Sequence, residues 1–498
     1  MVRKTSKKIG LWVGLVSFLI VLVVPFPEDF PSSGQRVLAV ALLMIVWWIA
    51  EVVPIYMTAF LPVILFPFLG IMTSAATARN YGHNYVLMLL GAFILAKAIE
   101  KQGLHKRMAL FTITILGSGK RAMVLGFMVA TAFLSMWITN MAVVLIMLPV
   151  ATALIQKLPV DERHNFGLAL LLGIAYAASI GGTGTLIGTP PNMVFAGLFN
   201  KLYPDAPEID FFQWMKIGIP VVTLFVPLVW FYLVWFFKVN GKIKGGAAFI
   251  TAEQGQLGRT TIGEKRVLLL FLFTALGWIF KSDLILGALT IPGWSTILGI
   301  SDFVHDSTVA MLGAFLLFVV GDGQGFRLMD WKTTQKIPWG VAMFLGGGLA
   351  LGAAFKSSGA AFWLGSAFPE MGHLHSFWIV VLVVTLIVFV TEVNSNTATA
   401  TIFLPLLGAI AVAGEIHPLL IMIPATFACS FAFMLPSGTG TNTVIFASDR
   451  ITVGEMAKTG LWLNLVFILL LSLLLYFFIL PVLGIDASVP EWAGTTGN

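Results

Sequence analysis

Two short polar motifs lie inside long apolar segments, and each is centred on an asparagine. The first reads Trp137-Ile-Thr139-Asn140-Met141 and the second Thr391-Glu-Val-Asn394-Ser395-Asn396-Thr397. Downstream of each lies a further polar break, Gly188-Thr189-Pro190-Pro191-Asn192 and Gly438-Thr439-Gly440-Thr441-Asn442. The hydroxyls and amides of Thr139, Asn140, Thr189, Ser395, Asn396, Thr397 and Thr439 can donate to carboxylate oxygens. Helix N-termini at such breaks add N–H donors and partial positive charge. Pro190 and Gly440, beside the two threonines, complete the candidate substrate shell. Freed carbonyls and asparagine oxygens suit a hard monovalent cation instead. The chemistry on offer is joint binding of an anion and flanking cations. An enzyme is disfavoured, because no nucleophile–base pair or metal cluster falls in the apolar segments. Cys429 is the one cysteine and the histidines lack ligand spacing, so no cofactor or transition metal is assigned.

The spacing carries as much information as the residue types. The central asparagines Asn140 and Asn396 are 256 residues apart, and the second breaks, at Asn192 and Asn442, are 250 apart. Leu90-Gly91 and Leu345-Gly346 pair at 255, and a proline, Pro149 or Pro405, follows each central asparagine by nine residues. The chain reads as a duplicated unit whose polar interruptions fall at matching places. In membrane transporters, interruptions so placed point to the binding site.

The elements that hold these motifs must live in lipid. Of the 498 residues, 58% are hydrophobic and 10% charged, with a mean hydropathy of +0.95. Apolar runs recur from end to end and do not alternate, which predicts an all-α polytopic membrane protein and excludes a β-barrel. The expected spans are 9–25, 36–52, 54–70, 84–102, 166–199, 212–237, 266–281, 307–321, 339–356, 418–447 and 460–483, about 11 transmembrane helices. Segments 122–156 and 376–410 are too long for one straight crossing of a core of about 30 Å. Reading both as re-entrant hairpins places 23 of the 29 Lys and Arg residues on one side, the cytoplasmic one by the positive-inside rule. The first hairpin then opens inward and the second outward, as an inverted repeat requires.

The expected division is an N-terminal helix (1–35), retained with its N-terminus inside; a first repeat (36–237); a cytoplasmic linker (238–265); a second repeat (266–483); and a tail (484–498) outside. Residues 282–306 are expected at the outer surface. The basic pI reflects the cytoplasmic loops, not nucleic acid. No Lys, Arg or His lies within the motifs, so a buried dianion needs co-bound cations or a basic residue nearby. Lys97, Lys101 and Lys356 are the nearest in the map, at helix ends. Glu392 is expected to support the second tip, Gly346-Gly347-Gly348 to serve close packing, Trp137 to face core or lipid, and His373 and His375 to lie in an outer loop.

On these motifs the chain resembles the divalent anion:sodium symporter (DASS) family of di- and tricarboxylate transporters, also called INDY proteins. Ser395-Asn396-Thr397 is that family's signature, and Gly188-Thr189-Pro190-Pro191-Asn192 its partner motif. The resemblance implies a homodimer in the plasma membrane, an elevator in which a transport domain slides along a scaffold, and substrate carboxylates held by the two signatures. It also implies sodium sites near Ser135, Thr139, Asn140 and Gly188, and near Thr391, Asn394, Asn396 and Gly438. Two departures stand out: Met141 replaces a hydroxyl residue, and Gly440-Thr441 replaces Pro-Pro. The expected function is transport of small dicarboxylates (succinate, malate, fumarate, 2-oxoglutarate). The altered shell tilts towards exchange, with sodium-coupled di- or tricarboxylate symport, or transport of sulfate or another divalent anion, as the alternatives. A passive channel conflicts with two occluding hairpins.

Overall fold

The computed structural model describes residues 2–115, 117, 119–243, 245–286, 289–360, 363, 375–486 and 488–494. His373 therefore lies outside the described residues. Apart from one short hairpin (β1, Leu284–Leu286; β2, Leu289–Ile291), the described regular structure is helical. That hairpin occupies part of the 282–306 segment, where no crossing was expected.

Among the described residues, seven helices or helix runs are long and apolar enough to cross a membrane by length and composition. They are Ser32–Ile49, Ser74–Lys101, Val160–Gly182, Phe211–Phe236, Trp339–Ser357, Ser376–Val393 and Val453–Val482. Several expected spans appear instead as shorter pieces. Segment 54–70 divides into Ile55–Thr58 and Leu61–Phe68, and 307–321 is the 14-residue helix Asp306–Val319. Segments 166–199 and 418–447 break at their Gly-Thr motifs, because the chain there turns out of helical geometry and restarts.

In chain order the helices used below are α1 (Val2–Val23), α2 (Ser32–Ile49), α3 (Ile55–Thr58), α4 (Leu61–Phe68), α5 (Ser74–Tyr81), α6 (Asn84–Lys101), α7 (Leu104–Ile115), α8 (Lys120–Ser135), α9 (Asn140–Gln156), α10 (Val160–Gly182), α11 (Pro190–Leu202) and α12 (Phe211–Phe236). Then come α13 (Gly246–Gln256), α14 (Ile262–Ile279), α15 (Trp294–Ile297), α16 (Asp306–Val319), α17 (Trp331–Thr334) and α18 (Trp339–Ser357). The second set of broken helices is α19 (Ser376–Val393), α20 (Asn396–Ala413), α21 (Pro418–Ala428) and α22 (Gly440–Phe446), closed by α23 (Val453–Leu474).

Burial shows what is central. Every residue from Phe166 to Thr189 is buried, so α10 beyond its first turns is covered on all sides, and α21 is buried along its whole length. A helix apolar all round belongs in such a position. By contrast, Trp12 and Leu19 of α1, Leu269 and Leu276 of α14, and Leu465 and Leu469 of α23 are exposed. Apolar side chains so presented match a lipid surround. The two halves interlock reciprocally: α9 of the first half packs on α22 of the second, and α20 of the second on α11 of the first.

A separate buried cluster joins α2, α4 and α18 through Val37, Val40, Met44, Trp48, Phe66, Phe344 and Leu351. The triple glycine lies in α18 and lets neighbours approach closely. A Cβ at Gly346 would meet the Tyr81 backbone at 2.8 Å, and one at Gly347 the Ala59 Cβ at 2.9 Å. Small residues do this routinely where helices pack in membranes.

Candidate functional site

Each of the four polar motifs is the start of a helix. α9 begins at Asn140, α11 at Pro190, α20 at Asn396 and α22 at Gly440, with Thr139, Thr189, Ser395 and Thr439 as their N-cap residues. Ser and Thr at this position normally accept a hydrogen bond from the first turn. Thr73, Asp210, Thr261, Asp330 and Thr452 do so elsewhere in this chain. None of the four motif residues does. Their hydroxyls are thus not committed to capping, and the first-turn N–H groups beside them lack the usual side-chain acceptor.

Behind each asparagine tip sits an oxygen cluster. Ser135 Oγ lies 2.6 Å from Asn140 Oδ1 and 2.8 Å from the carbonyl of Ala178. Thr391 Oγ1 lies 2.8 Å from the Asn396 carboxamide and 2.8 Å from the carbonyl of Cys429. Ser135 and Thr391 are fully buried and stand at repeat-related positions. In the first cluster a single hydroxyl proton faces two acceptors and can serve only one. The near end of the Asn396 carboxamide also approaches the Cys429 carbonyl at 3.0 Å and the Gly438 carbonyl at 3.3 Å. With nitrogen there, the amide donates to these oxygens. With oxygen there, four oxygens converge, the surroundings a hard cation takes. Amide orientation is an assignment and follows what occupies the cluster.

Gly182 and Gly188 line the first cluster because nothing larger fits. A Cβ on Gly182 would run into the Asn140 carboxamide, and one on Gly188 would come within 2.9 Å of the Ser135 carbonyl. Gly438 is the counterpart, its Cβ position 3.1 Å from the Glu392 carbonyl. Asn394 lies at the second tip, next to the N-cap residue Ser395. Its Oδ1 accepts from the N–H of Ser395 at 2.9 Å, within the tip's own backbone.

The loops between the broken helices are held by a second matched pair. Asn192 Nδ2 donates to the carbonyls of Gly182 and Thr185, at 3.2 and 2.7 Å. Asn442 Nδ2 donates to those of Ala432 and Leu435, at 3.0 and 3.1 Å. Here the symmetry ends. Glu392, almost fully buried, organises only the second loop. Its Oε1 accepts from the N–H groups of Phe433 (2.7 Å) and Met434 (2.9 Å) and from Asn464 Nδ2 (2.6 Å). Its Oε2 accepts from Leu435 N–H at 3.0 Å. At the matching place in the first half stands Met136, whose carbonyl accepts from the Thr185 hydroxyl at 2.5 Å. Across the halves, Tyr176 donates to the Phe433 carbonyl at 2.9 Å, and the Ser179 and Thr441 hydroxyls lie 3.2 Å apart.

The three lysines considered as counter-charges are engaged elsewhere. Lys97 pairs with Glu100 and Lys101 with Asp330, each at 2.6 Å, while Lys356 donates to the Leu202 carbonyl at 2.7 Å. Trp137 packs edge-on against Phe271 of α14 and beside Phe211. Sequence reasoning missed the Ala178 and Cys429 carbonyls, which carry no side-chain signal. It also missed Asn464, a lone amide in the apolar run of α23 that could have been flagged on that ground.

Between residues 5 and 484 the chain matches the family described as "Sodium:sulfate symporter transmembrane region". It is 38% identical over 496 residues to a sodium-dependent dicarboxylate transporter, SdcS, of Staphylococcus saprophyticus, covering 97% of this chain and 93% of that one. The SdcS protein of Staphylococcus aureus strain MRSA252 is also 38% identical, with coverage of 98% and 94%. Among solved structures, the fold is similar to that of MtrF of Neisseria gonorrhoeae, described with a class of antimetabolite efflux pumps. That match has a TM-score of 0.54 at 13% identity and covers 96% of each chain. The YdaH transporter of Alcanivorax borkumensis gives a TM-score of 0.51 at 14% identity, covering 82% of this chain and 88% of that one. At such identities the likeness speaks to fold alone.

Proposed function

The chain belongs to the sodium:sulfate symporter family, and from that membership we propose that it is a sodium-coupled secondary transporter of small dicarboxylates. It is an integral, multi-pass membrane protein of a transporter family, not an enzyme. The observation that carries the proposal is the matched pair of acceptor-rich clusters, Ser135–Asn140–Ala178 and Thr391–Asn396–Cys429, each directly behind an uncapped helix start. Two sodium ions there balance the two charges of a dicarboxylate held by Thr139, Asn140, Thr189, Pro190, Ser395, Asn396, Thr397, Thr439 and Gly440. The engagement of Lys97, Lys101 and Lys356 elsewhere supports cations, not lysines, as the counter-charge. Carrying a neutralised complex also removes a cost of about 2.3 kcal/mol per charge per 100 mV. The sodium-dependent dicarboxylate relatives support the same reading.

In this reading 122–156 and 376–410 are re-entrant hairpins opening to opposite sides. They move with α10, α11, α21 and α22 as an elevator along a scaffold built on α2, α4 and α18, in a plasma-membrane homodimer. The N-terminus is cytoplasmic and the C-terminus outside. The segments 36–237 and 266–483 are the inverted repeats, joined by the linker 238–265. Dicarboxylate exchange is the second reading, favoured by Met141 in the shell. The sodium-dependent relatives and the paired clusters weigh towards symport.

Labelled succinate uptake into proteoliposomes, with sodium or choline outside and with empty or dicarboxylate-loaded lumens, tests both. Sodium-dependent uptake into empty vesicles establishes symport. Uptake that needs internal dicarboxylate and ignores sodium establishes exchange and removes the cation role of both clusters. Sulfate as the preferred competitor would move the substrate to inorganic divalent anions.

A further inference from the structure

The connection between α11 and α12, running from Leu202 to Phe211, is gripped by side chains of three other helices. Lys356, near the end of α18, donates to the Leu202 carbonyl at 2.7 Å. The Tyr85 hydroxyl of α6 donates to the Ile209 carbonyl at 3.4 Å. Asp306, the first residue of α16, accepts from the Phe211 N–H at 2.8 Å, and His305, just before it, meets Glu208 at 2.9 Å. His305 Nδ1 accepts from the Ser307 N–H at 3.0 Å, so Nε2 carries the proton and donates it to Glu208. Burial pushes the Glu208 carboxyl up, but the His305 bond and the Lys281 charge outweigh it and hold the group below its usual range.

These bonds cross a boundary between two packed bodies. α12 packs on α8 and α10 and α11 on α20, all joined to the binding tips, whereas α6, α14 and α16 pack on one another and α6 on α18. In the elevator reading the first body moves and the second stays. Tyr85 begins α6, and at the far end of that helix the boundary is parted. A cavity of about 790 Å³ lies there between Leu145 and Pro149 of α9 and Glu100 and His105 of the α6–α7 junction. The boundary is thus bonded on the side read above as outer and open on the inner one. Phe211 also stacks on Trp278 of α14 at 4.7 Å and lies 6.0 Å from Trp137, beside the first tip. We propose that Tyr85, His305, Asp306 and Lys356 form an outer latch that holds the moving body by its Leu202–Phe211 connection and releases it each time the body crosses. Water can replace each partner when the connection withdraws, so each bond is worth little net free energy and can be made and broken in every cycle.

This inference rests on the elevator reading above. Ile209→Cys puts a reporter in the connection, where the native side chain is 8% exposed, and the native Cys429 is buried. Its initial rate of labelling by a membrane-impermeant maleimide is measured in proteoliposomes, with and without saturating sodium and succinate. Labelling is expected to be slow at rest and about 3- to 10-fold faster when Glu208→Gln or Lys356→Met is added. Sodium with succinate is expected to speed it as well, which mere local loosening would not do. Thermal midpoints in detergent check folding. Separately, Glu208→Cys/His305→Cys joined by a short bifunctional maleimide is expected to lose uptake, while each single variant keeps it under the same reagent. Labelling indifferent to substrate, or full uptake by the cross-linked protein, overturns the latch and leaves the sodium-coupled dicarboxylate reading standing. A folded wild type that takes up no succinate overturns the reading and the inference together.

Discussion

Ser135 and Asn140 face each other across the first tip at 2.6 Å, and Thr391 and Asn396 repeat the arrangement 256 residues later at 2.8 Å. In each pair the hydroxyl also meets a backbone carbonyl, and in the first pair two acceptors compete for its one proton. Removing the hydroxyl takes one oxygen from the cluster and leaves the helix start in place. Ser135→Ala and Thr391→Val should each raise the sodium concentration for half-maximal uptake by about 3- to 10-fold. Uptake titrated against sodium at fixed succinate measures this. An unchanged sodium dependence in both variants would remove the cation role of the clusters.

Asn140 and Asn396 lie at the junction of cluster and shell, so losing either carboxamide affects both. Asn140→Ala and Asn396→Ala should abolish succinate uptake while leaving the thermal midpoint within a few degrees of wild type. Substantial uptake by both purified variants would count against the binding site as drawn.

Glu392 receives three backbone N–H groups and the Asn464 amide, and these hold the 433–435 loop at the second break. Glu392→Gln turns an NH2 group towards donors and strands at least one of them, at about 1–3 kcal/mol. The expected result is a lower thermal midpoint and a slower maximal rate. Asn464→Ala should be milder, since the carboxylate keeps its three backbone partners. Equal effects of the two would mean that Glu392 acts mainly through Asn464.

Away from the site, Lys281 and Asp306 form a buried ion pair at 2.8 Å, with side chains 5% and 1% exposed. Asp306 Oδ2 also accepts from the N–H of Phe211 at 2.8 Å, joining the start of α12 to the starts and ends of α16 and α14. Lys281→Met alone leaves a buried carboxylate uncompensated, at a cost on the order of 3–5 kcal/mol. Adding Asp306→Asn removes the charge but keeps an acceptor for Phe211. The double variant should therefore be more stable than Lys281→Met alone, read as thermal midpoints in detergent.

The legible part of this protein is what departs from its lipid solvent. Asn140, Asn396, Thr189 and Thr439 stand out because hydroxyls and amides are rare in apolar runs, and their matching offsets announce the duplication. Helix breaks at Gly188 and Gly438 could be read because glycine and proline interrupt helices wherever they cluster. The Ala178 and Cys429 carbonyls could not, since every residue has a carbonyl and only the fold aims these two at a hydroxyl. Met141 and Gly440 were visible as departures from the motifs of the family the chain resembles. That the Met141 side chain lies where a Cβ on residue 440 would point depends on how α9 packs on α22, which no local pattern encodes. Glu392 was recognisable as an intramembrane acid, but its partners are backbone N–H groups some forty residues away.

Cys429 offers a test in which the expected result is no change. Its side chain is buried, and its contribution to the second cluster is the carbonyl oxygen, 2.8 Å from the Thr391 hydroxyl. A carbonyl survives any substitution that leaves the backbone path unaltered. Cys429→Ala removes one sulfur from a packed site, and uptake should keep its sodium dependence, with at most a modest loss of stability. Cys429→Pro differs, because it removes the N–H that donates to the Ala425 carbonyl at 3.0 Å and disturbs the end of α21. That variant should lose sodium-dependent uptake. If Cys429→Ala abolished sodium dependence in a protein with a normal thermal midpoint, the thiol itself would be the functional group. The second cluster would then need redrawing around sulfur, not the backbone.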